Sequence, residues 1–314
     1  MSGSLQTITA VTEALRTQYW SWVVYETLPS TGSLTPFLVH HLPHIDPSSW
    51  DERFAFGGVY VNGIEALGDR ELPLPCKVEY YEPKFEISDA ASIFPAFHDD
   101  YILYQDEHVV AVYKPPGLSS MPAKEQRHFS VKASVERCTG ATVHMPSRLD
   151  VSTQGLIIMS ISEHAHARLQ QAFEHRKVFK EYRCASLSQS PWMAHTVELP
   201  IGRDVRHSVL RRVDNESGKP ARTEFISIGR ARSEDLEVNV FRALPTTGRT
   251  HQIRVHASAS GIPLLGDRFY EGASASYLHL VSYAVALKHP VTGIDLQISL
   301  PQRLLPLWIT DQVR

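Results

Sequence analysis

An aspartate and a cluster of arginines and histidines are the residues of this chain best suited to chemistry. Asp150 lies in Arg148-Leu149-Asp150-Val151-Ser152-Thr153-Gln154-Gly155, after a proline-marked approach and before an apolar run from Leu156 to Ile161. That run is short, β-branched and bounded by Gly155, which predicts a buried strand. A carboxylate on a loop held by a rigid strand can act as a base or a nucleophile. The residues alone leave a second role open, an ion pair with Arg148 or a cap on the turn. Further along, Thr247-Gly248-Arg249-Thr250-His251-Gln252-Ile253-Arg254-Val255-His256 holds two arginines and two histidines. Alternation over Thr250 to His256 predicts a strand, with Thr250, Gln252, Arg254 and His256 on one face. Arg249, His251, Ile253 and Val255 share the other. Polar groups on both faces imply that some are buried and partnered. Arg254 can fork onto a carboxylate from elsewhere.

Together these stretches resemble the RluA family of RNA pseudouridine synthases. The matching pieces are Arg148-Leu149-Asp150 with Thr153 and Gly155-Leu156, then Lys180-Glu181-Tyr182, then Gly248 to His256, then Gly261 to Asp267 with Tyr270, and Leu278-His279-Leu280. They occur in the family's order, and the similarity runs from about Tyr101 to the C-terminus. Two departures stand out. Ser147 replaces a histidine usual before Arg-Leu-Asp, and Gln154 replaces a serine usual before Gly-Leu. Both bear on the fit to the target nucleotide or its flanks.

The resemblance implies isomerisation of uridine, with the base detached at N1, rotated and rejoined to the ribose through C5. No group is transferred and no redox change occurs, so neither cofactor nor metal is implied. The chain has no Gly-x-Gly-x-x-Gly phosphate loop. The target base must be extruded from its stack, at a cost of a few kcal/mol. By resemblance, Asp150 is the essential carboxylate, acting at C1′ or on a ribose proton. Arg148 fills the vacated stack or holds the flipped nucleotide. Tyr182 stacks on the uracil and helps remove the C5 proton, Arg254 pairs with Asp150, and Leu280 packs against the base. Thr153, Arg249, His251 and Gln252 are the remaining substrate-binding candidates. Lys180 has a structural role open to it as well. The expected partner is structured RNA, ribosomal ahead of transfer RNA, handled by a monomer.

Composition agrees with a folded protein. Of 314 residues, 43% are hydrophobic, enough for a real core. No apolar run approaches the ~20 residues of a membrane span, and the first ten residues lack an apolar signal-peptide core. Cys76, Cys138 and Cys184 are scattered, which suggests neither a disulfide framework nor a zinc site and points to the cytoplasm. Net charge is −3. Residues 1–100 carry 5 basic and 14 acidic residues, whereas the remainder carries 26 and 20. An RNA partner therefore favours the later part. Basic residues cluster from Arg203 to Arg222, with Arg206, Arg211, Arg212 and Lys219 among them, as an RNA contact or a solvated hairpin.

The elements that must position these residues suggest two domains, 1–95 and 96–314. The first holds an arm, a strand over Tyr19 to Tyr25, and a helix over Leu34 to His41. A second helix is capped by Asp46-Pro47 and ended by Gly57-Gly58. Strands over Val59 to Val61 and Leu74 to Tyr81 follow. This order looks like a small S4-like α+β RNA-binding module, although an acidic one; a degenerate module kept for packing is the other reading. Pro83 to Pro95 reads as a linker.

The second domain opens with a hairpin over Tyr101 to Tyr113, broken by Lys114-Pro115-Pro116-Gly117. Ser130 to Cys138 is expected to be helical. Ser162 is expected to cap a helix with Ala165, Leu169, Ala172 and Phe173 on one face. His164, His166 and His175 fall off that face and are not expected to bind metal. Strands are expected over Val178 to Ala185, Thr223 to Ile228, Leu236 to Ala243, Leu278 to Lys288 and Asp295 to Leu300. Many strands without regular βαβ alternation predict an α+β pseudouridine synthase fold with a central mixed, largely antiparallel sheet.

Two other function classes are open to these residues. An RNA chaperone or assembly factor on the same fold would not need Asp150. A carboxylate-dependent nucleosidase would need a second acid. Asp267 is the candidate in the motifs, and its Gly-Asp turn favours a structural role.

Overall fold

The computed structural model describes residues 20–26, 32–124, 127–205, 209–310 and 312–313. The expected N-terminal arm, Tyr19 and Arg206 lie outside the described residues. The chain divides into two compact units, one reaching to Ala96 and including Met121–Ser134, the other comprising Phe97–Ser120 and Val135 onward.

The first unit contains β1 (Trp20–Glu26), α1 (Leu34–His41), α2 (Trp50–Phe56), β2 (Val59–Val61), β3 (Ile64–Glu65), β4 (Lys77–Pro83) and α3 (Ala90–Ile93). Its sheet runs β1-β4-β2-β3, antiparallel throughout. The Asp46 carboxylate accepts the Ser48 N–H at 2.9 Å, and Pro47 opens the short 3-10 turn that leads into α2. Trp50 and Phe54 then bury against Tyr80 and the α1 leucines. Asn62 and Gly63, both with positive φ, turn β2 into β3. The expected linker after Pro83 is instead partly helical. Ala90 and Phe94, one helical turn apart, both bury, and Phe94 stacks on Phe129 at 4.6 Å. Lys124 explains why Met121–Ser134 groups here. Its ammonium donates to both oxygens of buried Glu79, at 2.9 and 2.8 Å.

The second unit contains β5 (Ile102–Gln105) and β6 (Val109–Lys114); α4 (Val131–Thr139) runs across the division. Then come β7 (Gln154–Ser160), α5 (Glu163–Glu174), β8 (Phe179–Ser186), β9 (Ala194–Val197), β10 (Ile201–Arg203) and β11 (Arg211–Val213). They are followed by β12 (Thr223–Ser233), β13 (Leu236–Pro245), α6 (Gln252–Ala259), β14 (Leu280–Lys288), β15 (Asp295–Ser299), α7 (Leu307–Thr310) and β16 (Gln312–Val313). One large sheet runs β16-β12-β13-β8-β14-β7-β6-β5, with β15 beside β14 and β9 beside β12. Its pairings are antiparallel except that of β7 with β14. The fold is therefore α+β on a mixed, largely antiparallel sheet, as the sequence predicts.

Strand alternation divides the core between two faces. Val238 and Val240 of β13 join Leu156, Ile158, Ala165 and Leu169 in one cluster, whereas Phe241 and Ala243 join Ile253, Ala257 and Leu280 in another. Helix α5 thus covers one face and α6 the other. The Ser162 side chain does not cap α5; its hydroxyl meets His108 Nδ1 at 3.0 Å.

The segment expected as a strand over Thr250 to His256 is the helix α6. Every residue from Gln252 to Ala257 is buried, so no solvent-facing stripe marks a helical period in the sequence. His251, at φ 57, breaks the extended chain just before it. Among the described residues, no helix is long and apolar enough to cross a membrane.

Candidate active site

The Asp150 loop is fastened on both sides. The Ser120 hydroxyl donates to Leu149 O at 2.6 Å and accepts the Leu149 N–H at 3.1 Å. Val151 O accepts the Gly117 N–H at 2.8 Å and the Lys114 ammonium at 2.9 Å. The Thr153 N–H closes the turn onto Asp150 O at 3.0 Å. The peptide carbonyls of residues 149–151 are therefore committed, and the carboxylate projects from a fixed loop, one quarter exposed.

Gly155 brings this loop against the last long strand. A Cβ there would stand 2.3 Å from Ser282 O, so only glycine fits, and its φ of 119 agrees. The approach is the parallel register Gly155↔Ser282 between β7 and β14. The Ser282 hydroxyl ties the pair further by donating to Leu156 O at 2.9 Å.

Opposite Asp150 stands α6. Arg254 is 4% exposed and forks onto Asp267, Nε to Oδ2 and Nη2 to Oδ1, each at 2.7 Å. Its remaining Nη1 reaches Asp150 Oδ2 at 3.3 Å. The guanidinium also lies over the rings of Phe269 and Tyr270, 5.2 and 5.1 Å from their centroids. The two carboxylates hold its pKa above the ordinary arginine value although burial opposes this, so it is charged throughout the working range.

His251 completes this side. Its Nδ1 meets the Tyr270 hydroxyl at 2.6 Å, and its Nε2 stands 3.7 Å from Asp150 Oδ2. Burial pulls its pKa down to about 4, so the ring is neutral at pH 7. The Tyr270 hydroxyl also accepts the Arg211 N–H at 3.0 Å, and burial pushes its own pKa up.

Buried Lys114, half-buried Lys180 and a tyrosine line the sheet side. Lys114 is fully buried, donates to Pro115 O and Val151 O, and is pulled down to about 7 by burial, with the Asp150 charge opposing. Lys180 donates to Thr247 O at 3.2 Å and is pulled down to about 8 by burial. Burial pushes the Tyr182 phenol up to about 12, and the Asp150 charge acts in the same direction. A neutral phenol and a flat ring thus stand near an acid that Arg254 and Lys114 face. Among the described residues, no group of three or more His, Cys, Asp or Glu side chains could hold a metal ion.

A model of the family "RNA pseudouridylate synthase" matches residues 108–259, which contain Asp150, Tyr182 and Arg254. Dual-specificity RNA pseudouridine synthases RluA from Salmonella typhimurium and Escherichia coli are each 34% identical over 207 residues, covering 64% of this chain and 92% of theirs. This chain belongs to the RNA pseudouridylate synthase family. It is an RluA-type pseudouridine synthase, an isomerase acting on RNA. The solved structure titled "Human RNA Pseudouridylate Synthase Domain Containing 1" has the same fold, with a TM-score of 0.56 at 22% identity over 65% of this chain and 84% of that one.

The remaining candidates of this synthase fall in different places. Arg148 is exposed beside the loop. Thr153 is buried and closes the turn through its backbone. Arg249 is half-buried, its Nε donating to Pro220 O at 3.1 Å. Gln252 points into the protein. Its carbonyl accepts from Thr247 Oγ1 and the Arg249 N–H, and its amide donates to Arg222 O and Thr223 Oγ1. That saturates the amide and fixes the turn into α6. Leu280 packs with Cys184, Ile262 and Leu278 in the core. Lys114 and Tyr270 occur in motifs of the sequence that assign neither an individual role. Lys114 had one signal, a lysine closing an otherwise apolar strand before Pro-Pro-Gly.

Proposed function

We propose that Asp150 is the carboxylate on which this synthase depends and that ribosomal RNA is its substrate. The observation that carries the reading is the arrangement around Asp150. Its loop is fastened at Leu149, Asp150 and Val151, and its oxygen faces a guanidinium that Asp267 already orients. A charge held this way needs little reorganisation when it acts at the ribose. The N1–C1′ bond breaks, the detached uracil turns, and C5 bonds to C1′. The proton leaves C5, and N1 gains one, so the product is an isomer. Tyr182 offers a flat ring for the turning base, and its high pKa keeps the phenol protonated at neutral pH. Arg148, exposed next to the loop, is free to enter the stack that the flipped nucleotide leaves.

Residues 96–314 supply the catalytic parts, so a monomer suffices for them. Residues 1–95, S4-like in the order of their helices and strands, are assigned a secondary role in RNA placement. Three free thiols fit a cytoplasmic setting. The test is tritium release from 5-tritiated uridine in ribosomal and transfer RNA transcripts, each assayed with wild type and Asp150→Ala. Release from ribosomal RNA by wild type alone supports the whole reading. Release from transfer RNA only would overturn the substrate, and release by Asp150→Ala would overturn the carboxylate.

A further inference from the structure

The two oxygens of Asp150 are not equivalent. Arg254 Nη1 stands 3.3 Å from Oδ2, and His251 Nε2 stands 3.7 Å from the same atom. Oδ1 has no hydrogen bond among the described residues. The arginine is a donor in any state. Whether the histidine is one depends on which ring nitrogen carries its hydrogen.

The Tyr270 hydroxyl decides this. It lies 2.6 Å from His251 Nδ1 and accepts the Arg211 N–H at 3.0 Å. Burial keeps the phenol protonated, so its O–H also needs an acceptor, and among the described residues that acceptor is Nδ1. Nδ1 is therefore the bare nitrogen, and Nε2 carries the hydrogen toward Asp150. A cationic ring would leave Tyr270 no acceptor, and burial holds the ring neutral at pH 7.

The ring is also held in place. The His251 side chain is 6% exposed, its carbonyl accepts the Val255 N–H at 2.9 Å, and Phe269 stacks on it with 19° between the planes. At 3.7 Å the Nε2 contact is roughly 0.5–1 Å longer than an ordinary N–H···O bond. Such contacts are often long before substrate enters and tighten in the complex.

We propose that His251 is a positioning residue for Asp150. As the Nε2–H tautomer it donates to Oδ2 beside Arg254 once the target nucleotide is bound, and it leaves Oδ1 to act at the ribose. Tyr270, fixed by the first residue of β11, selects that tautomer. The inference rests on Asp150 being the working carboxylate.

The experiment reads the tautomer and the rate separately. Full-length protein labelled with nitrogen-15 histidine is examined by NMR at pH 7.5, with the His251 signals assigned by their loss in His251→Gln. Nδ1 is expected in the unprotonated range and Nε2 in the protonated range. Tyr270→Phe removes only the hydroxyl and should move both signals toward the average of a tautomer mixture. In tritium release, Tyr270→Phe should lower kcat roughly 10-fold with KM nearly unchanged, since the interaction serves the reacting state. Glutamine can place an amide N–H near the Nε2 position, whereas leucine cannot. His251→Gln should therefore keep at least ~10-fold more of kcat than His251→Leu, the lower range for a hydrogen bond to a charged group. Urea midpoints establish that both variants are folded in the assay. A protonated Nδ1 in the wild type, signals unmoved in Tyr270→Phe, or equal kcat in the glutamine and leucine variants would overturn the proposal. The tautomer is read without turnover, and Asp150→Ala is assayed beside these variants. A failure of His251 is thereby told apart from a failure of the carboxylate itself.

Discussion

Arg254 grips Asp267 with two hydrogen bonds of 2.7 Å and touches Asp150 with one of 3.3 Å. The tighter partner fixes the arginine, and the looser one receives its field. Removing the tighter partner leaves an uncompensated charge in the interior, which typically costs about 3–5 kcal/mol. Asp267→Ala should therefore lower the urea midpoint strongly as well as activity. Arg254→Lys keeps a charge but loses the fork, and should give a stabler protein than Asp267→Ala with activity still impaired. Equilibrium unfolding beside tritium release checks both. Unaltered stability in Asp267→Ala would refute the structural role of the pair.

Asp150→Asn is nearly isosteric and removes the charge only. Activity should fall by at least ~100-fold, the lower range for a positioned acid or base, with the unfolding curve scarcely moved. Single-turnover assays on the responsive RNA measure the first part and urea titration the second.

Lys114 tests positioning without contact to substrate. Its ammonium fixes Val151 O, directly after Asp150. Lys114→Met should lower kcat by roughly 10- to 100-fold, as expected for a slightly misplaced catalytic group, with little change in KM. A change confined to KM would show that the lysine acts on RNA binding instead.

His251 gives a pH dependence with a definite sign. Its folded pKa, about 4, lies below the ordinary 6.5. The unfolded chain thus binds the proton more readily, and acid favours unfolding. The contribution is complete above pH 6.5 and drains away as pH falls toward 4. It is worth on the order of 3 kcal/mol at full size. Urea midpoints at pH 7.5, 6 and 5 should fall less steeply for His251→Gln than for wild type; parallel lines would exclude this histidine as the source.

Gly155→Ala tests close approach. The added methyl would meet the Ser282 backbone, which has no flexible side chain to yield. Loss of at least about 1–3 kcal/mol of stability follows from such overpacking, and the Asp150 loop should be displaced with it. Thermal unfolding and tritium release should decline together.

How much of this was legible depended on whether burial left a pattern. The Asp150 loop and β7 could be read because Gly155 opens a continuous apolar run. Segment 250–256 could not, because α6 is buried on all sides and Arg254 and His256 occupy interior positions that sequence normally reserves for apolar residues. The Lys114-Pro115-Pro116-Gly117 break reads as a fixed loop beside the site, but the burial of the lysine itself does not show in the sequence: a lysine is rarely buried, and nothing local announces that two carbonyls await it. Gln252 and Leu280 had been expected to face the substrate. Gln252 instead spends its amide on the turn into α6, and Leu280 fills the core. Resemblance identifies residues that matter, and only geometry tells which of them holds the site and which meets the substrate.

The pairing of Gly155 with Ser282 has a bearing on biogenesis. The floor of the Asp150 loop comes from a strand made more than a hundred residues later, and α6 with Asp267 also lies downstream. Contacts so distant in sequence close slowly and late. On a translating ribosome, a chain that has not yet released β14 lacks the strand against which Gly155 packs. The Asp150 loop therefore reaches its final support only when synthesis is nearly finished.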